Sequence, residues 1–160
     1  GGGPQLTQMN LPVTFDDATV DYGLIGFGGA EQSMVVTDPT LATNKVAKVI
    51  KTAVAELWAG TTVTATAGLG FATAIPFTTS NTKMSVRVWS PHAGIPVRLK
   101  VEDHADATHS VETEATVTTA NGWQTLEFDF ANQAAGTASL NLTYRYDKAS
   151  IFFKIGRAHV

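Results

Sequence analysis

The chain contains no cysteine, which excludes disulfides, thiolate zinc sites and cysteine nucleophiles together. Helical pattern is equally scarce. Lys, Glu and Leu are few beside Thr and Ala, and the one stretch of helical composition, VAKVIKTAVAEL (46–57), is rich in Val and lacks a cap. It is predicted to form two strands with a turn at Thr52 and Ala53. No apolar run approaches the roughly 18 residues needed to cross a bilayer as a helix. With 11 basic and 14 acidic residues and a net charge of -3, no block of one sign offers a footprint for nucleic acid. There is no G-x-S-x-G, phosphate loop or dinucleotide fingerprint; GFGG (26–29) runs into AEQSMVV, which does not open a helix. The four histidines, His92, His104, His109 and His159, show no zinc-ligand spacing. No signal-peptide pattern opens the chain.

What remains is a text of short strands. The 160 residues suit one domain, and from Leu11 onward Thr-, Val- and aromatic-rich segments recur between turn residues. The segments are LPVTF, SMVVTD, KVAKVIK, AELWAG, TTVTATA, FATAIPF, KMSVRVWS, IPVRLKVED, SVETEATVTT, GWQTLEFDF, ASLNLTYRY and SIFFK. About a dozen strands at 8–12-residue spacing predict an all-β sandwich. Side chains alternate between faces along a strand. Val97, Leu99 and Val101 are therefore predicted on a dry face and Arg98, Lys100 and Glu102 on a wet one. Val86 and Val88 oppose Arg87 and Trp89, and Leu126, Phe128 and Phe130 oppose Trp123, Thr125, Glu127 and Asp129.

Trp58, Trp89 and Trp123 all fall on the polar phase of these segments. An indole on a wet face can stack on the C–H face of a sugar ring, while Arg, Glu and Asp reach its hydroxyls. The competing explanation is that each ring covers a sheet end, and Trp123, just after an Asn-Gly turn, suits that role best. The carboxylates Glu102, Asp103, Glu112, Glu114, Glu127 and Asp129 contain enough groups for a glycosidase pair, but cross-strand ion pairs with Arg87, Arg98 and Lys100 explain them more simply. Asp16, Asp17, Asp21 and Asp129 offer oxygen ligands for a structural Ca2+, or serve as turn caps.

The motifs LPVTFDD, AELWAGTT, ATAIPFT, MSVRVWSPHAGIPVRLKVED, VETEATVTTANGWQTLEFDF and KASIFFK, spanning about 11–154, resemble a carbohydrate-binding-module-like jelly-roll domain of secreted bacterial glycan-binding or laminarinase-associated proteins, similar to carbohydrate-binding families 4 and 22. The resemblance implies a jelly-roll-like two-sheet antiparallel β-sandwich, no catalysis, an extracellular or cell-surface setting, a polysaccharide partner (β-glucan type favoured) and a structural Ca2+. It makes Trp58 and Trp89 the expected sugar platforms and Asp17 the expected metal ligand; the reading of the wet faces adds Arg87, Arg98 and Glu102 as expected ligand-binding residues and Asp129 as a second expected metal ligand.

One departure goes with it. The family continues past SIFF into a further strand, whereas here KIGRAHV resembles a translated sequencing adapter, so 155–160 are expected to be a non-native tail. Residues 1–10 are expected to be a flexible linker or a donated arm. An arm filling a neighbour's groove head to tail would build a filament, which makes a fibre or adhesin subunit the alternative function.

Overall fold

The computed structural model describes residues 5–63 and 68–154. It is all-β, with no α-helix among the described residues. The strands are β1 (Thr7–Gln8), β2 (Val20–Asp21), β3 (Leu24–Phe27), β4 (Met34–Asp38), β5 (Leu41–Lys48), β6 (Gly60–Val63), β7 (Lys83–Ser90), β8 (Pro96–Asp103), β9 (Asp106–Thr116), β10 (Gly122–Asp129) and β11 (Lys148–Phe153). Five of them form an antiparallel sheet in the order β3-β6-β11-β8-β9, and β7 pairs with β10 in a separate antiparallel ribbon. The chain crosses repeatedly between these layers, giving a jelly-roll-like sandwich. β4 and β5 make a hairpin with a register shift at Thr37 and Asp38.

The predicted alternation is what closes the sandwich. Val97, Leu99, Val101, Val111, Ala149 and Ile151 of the sheet face Val88, Leu126 and Phe128 of the ribbon, all buried in one cluster. A side chain such as Phe128, with no exposed surface, contributes about 1.5–3 kcal/mol by leaving water. The neighbouring polar positions alternate outward on both layers, so each has an outer face available for function.

Several segments depart from the expected strands. LPVTF, FATAIPF and ASLNLTYRY are irregular. In FATAIPF the backbone bonds are isolated and go to different partners, with Ala72 donating to Met9 and Ile75 to Tyr146. In ASLNLTYRY, Asn141 Oδ1 accepts both the N–H and the hydroxyl of Thr143 and folds the chain into a turn. Only Val46 to Lys48 of 46–57 is strand, because β5 ends at Lys48. The described part of the N-terminus, residues 5–10, packs on its own chain. Met9 is fully buried, Gln8 donates to the Gly70 carbonyl at 2.7 Å, and β1 pairs in parallel with β2 of the same chain. Gly1 to Pro4, the 64–67 part of TTVTATA and the 155–160 tail lie outside the described residues.

Candidate functional site

The five expected ligand-binding residues do not form one site. Arg98 and Glu102 lie on the outer face of the five-stranded sheet, whereas Arg87 and Trp89 lie on the outer face of the β7–β10 ribbon, across the core. Trp58 belongs with the first group, though not on a strand as its phase suggested.

The sheet face is organised in rows, because directly paired residues point the same way. Phe27 pairs with Gly60, and Phe152 with Arg98, which pairs with Glu114. Gly60 lies beneath the Phe152 ring, where an added Cβ would sit 2.5 Å from the ring and 3.0 Å from Phe27, so only glycine leaves room. The row therefore reads Phe27, Gly60, Phe152, Arg98, Glu114. The next row reads Ile25, Thr62, Ser150, Lys100, Glu112, with the Thr62 and Ser150 hydroxyls 2.8 Å apart. Phe27 and Phe152 meet edge to face at 5.7 Å, and Trp58 extends the aromatic run by lying nearly parallel to Phe27 at 6.4 Å. Trp58 stays 59% exposed.

A docked loop holds Trp58 there. Glu56 N–H donates to the Gly28 carbonyl and Thr52 N–H to that of Gly29, while Ala55 and Ala59 close turns onto Thr52 and Glu56. Gly28 and Gly29 have φ of 68° and 116°, in the left-handed range that glycine tolerates. An added Cβ on Gly28 would come within 2.7 Å of the Trp58 ring, and one on Gly29 within 2.5 Å of Ala55. Ala30, Ala55 and Ala59 form a small buried cluster under the loop. The Gly-Gly pair in GFGG is the sequence signal for this docking. Phe27 in that same motif and Phe152 in SIFF complete the aromatic run, and neither was among the expected site residues.

At the other end of the row Arg98 is held by two glutamates, with Nε 2.8 Å from Glu114 and Nη1 3.2 Å from Glu112. Partial burial works against the charge, but the hydrogen bonds that the guanidinium donates to Glu114 and Glu112 outweigh this and raise its pKa above the usual value. A guanidinium has five N–H donors, so donors beyond these two bonds are left for hydroxyl groups. Glu102 shares the face four positions along β8, about 13 Å from Arg98 at strand rise. It is buried and faces Lys148 at 3.7 Å.

The ribbon face is built differently. Trp89 and Trp123 are direct cross-strand partners, both half-buried. The Arg87 guanidinium lies over the Trp123 ring at 4.8 Å, and Trp123 Nε1 donates to Thr40 Oγ1 at 2.9 Å. Thr40 is itself fixed by Asp38, which accepts its N–H and hydroxyl. Trp123 thus packs under the β4–β5 turn, the structural role its Asn-Gly context suggested.

The remaining carboxylates have partners that explain them. Lys83 meets Glu127 at 3.2 Å, and Asp103 accepts the Ala105 N–H. Asp17 binds the N–H and hydroxyl of Thr19, and Asp129 binds the Thr82 hydroxyl and the Ala131 N–H. These bonds hold both carboxyls below their ordinary pKa. Among the described residues neither Asp17 nor Asp129 joins a three-ligand grouping. The grouping that does occur is Asp103, His104 and Asp147, with ligand atoms within 4.8 Å of one another. Its chemistry suits an ion pair better than Ca2+, which prefers an all-oxygen shell. Asp147 Oδ1 accepts the His104 N–H, and Oδ2 lies 2.6 Å from His104 Nδ1 and 3.3 Å from Arg145 Nε. A shallow depression beside β2 is lined by Phe15, Asp16, Asp17, Tyr22, Val35 and Lys45. There Asp16 accepts the Lys45 N–H, and Phe15, at φ 58°, is braced against Tyr22 at 5.3 Å. Compared with known proteins, the chain matches no family model, no curated sequence and no solved structure.

Proposed function

We propose that this domain binds a polysaccharide of β-glucan type, without catalysis, through the outer face of its five-stranded sheet, as a carbohydrate-binding-module-like domain at the cell surface or outside the cell. The supporting observation is the run from exposed Trp58 through Phe27 and Phe152 to Arg98 and Glu114 on one row. Its aromatic end supplies the apolar planes that sugar rings stack on, and its polar end supplies charge-assisted donors and acceptors for hydroxyls. The carboxylates on this face are paired with Arg98 or Lys148, which favours binding over acid–base chemistry.

The test is retention on insoluble β-glucan of Trp58→Ala beside Trp89→Ala. Trp58→Ala is expected to lose at least tenfold in affinity, or about 1.4 kcal/mol, and Trp89→Ala to behave as the parent. Unchanged retention of Trp58→Ala would remove this reading.

A further inference from the structure

The loop that carries Trp58 displays two more apolar side chains. Val54 is 83% exposed, Leu57 65% and Trp58 59%. Residues so exposed in a mobile loop would mean little, but this loop is built. Its backbone is bonded to Gly28 and Gly29, it sits on the buried alanines 30, 55 and 59, and Lys51 Nζ ties the Leu57 carbonyl to that of Phe153 at 3.4 and 3.3 Å. The fold spends two left-handed glycines and a private core on holding apolar groups in water. Exposed apolar side chains grouped on one anchored loop mark a contact site.

Shape and size narrow the occupant. Side chains this exposed protrude, so they cannot enclose a single dissolved chain, but they can lie on something flat. The patch is three side chains, where a standard protein interface takes roughly 20–30 residues a side, which disfavours a second copy. It is continuous with the Phe27–Phe152 aromatic run. Resting on the function proposed above, we infer that the Val54–Leu57–Trp58 knob seats on the planar apolar face of packed chains in an insoluble polysaccharide, in preference to a free oligosaccharide.

The experiment compares one glucan linkage in two forms, insoluble particles and soluble oligosaccharides, using the parent domain, Val54→Ser/Leu57→Ser and Trp58→Ala, with thermal unfolding as the folding control. The parent is expected to bind particles at least tenfold more tightly than oligosaccharides. Val54→Ser/Leu57→Ser should abolish that preference, leave oligosaccharide binding unchanged and unfold at the parent temperature. Equal parent affinity for both forms would overturn the inference while leaving glycan binding intact, as would a particle preference that survives the double substitution. No binding to either form would overturn the functional reading itself. A concentration-dependent dimer in sedimentation, lost in the double variant, would assign the knob to a second copy and overturn the inference by that route.

Discussion

On the ribbon, Trp123 gives its N–H to Thr40 and one ring face to Arg87, and the β4–β5 turn closes over it. On the sheet, Trp58 makes one ring contact with Phe27, lies along Gly28 and leaves 59% of its surface to solvent. Two tryptophans in similar sequence surroundings thus have opposite energetics. An indole with its polar atom satisfied and its face covered contributes to folding. An indole held from behind by backbone, with its free face outward, contributes little to folding and leaves its apolar area for a ligand. The difference teaches that a wet-face tryptophan is informative only once the element that fixes it is known.

The largest expected effect comes from destroying the support of the exposed ring. Gly29→Ala places a Cβ 2.5 Å from Ala55 at a φ of 116°. It should cost about 2–3 kcal/mol, read from denaturant unfolding, and should lose glucan retention with it. A variant of parental stability would show that the loop is not docked on Gly29. Trp58→Ala is the cleaner comparison. It should change stability by no more than about 0.5 kcal/mol, as expected for an exposed site, while losing affinity at least tenfold.

The next effect tests whether the sheet face has its own pH dependence. Burial pushes the Asp147 carboxyl up, but the His104 N–H, the His104 ring and Arg145 outweigh it, so its pKa is lowered. A carboxyl depressed in the folded state contributes stability that is present above its unfolded pKa and is lost as pH falls through the folded value. Because Asp147 joins the start of β11 to the β8–β9 turn, Asp147→Asn should lower the neutral-pH melting temperature and flatten its decline below about pH 4. Parallel acid-melting curves for the two proteins would show that this pair does not govern the sheet.

These effects also separate what the sequence could disclose from what it could not. Alternation with period two is a local property, so the faces of Val97 to Glu102, of Val86 to Trp89 and of Leu126 to Phe130 were legible, and the two-layer fold followed. Trp58 was misplaced on a strand because its position depends on carbonyls of Gly28 and Gly29, and the Gly-Gly pair signals a docking point without saying which segment docks there. The division of Arg87 and Trp89 from Arg98 and Glu102 was equally hidden. Phase says that a residue points outward, but only the strand order says from which layer. The His104–Asp147 pair spans 43 positions, and no local rule links its members. Met9 was hidden by its glycine-rich surroundings, since composition reports a neighbourhood and not one buried side chain.

The smallest effect tests the covered tryptophan. Trp123→Phe keeps an aromatic face under Arg87 but deletes the Nε1–H that Thr40 accepts. The Thr40 hydroxyl still donates to Asp38 at 2.8 Å, so the turn loses one bond and not its anchor. The expected cost is about 1 kcal/mol, seen as a lower denaturant midpoint with an unchanged slope and no change in glucan retention. Thr40→Val removes the same acceptor from the other side, together with the hydroxyl's bond to Asp38. If the Trp123–Thr40 bond operates as described, the double variant should cost less than the sum of the two singles, because the second substitution has no bond left to break. Strict additivity would mean that the indole is held by packing alone. Loss of glucan retention in Trp123→Phe would place both faces in ligand binding and dissolve the contrast between them.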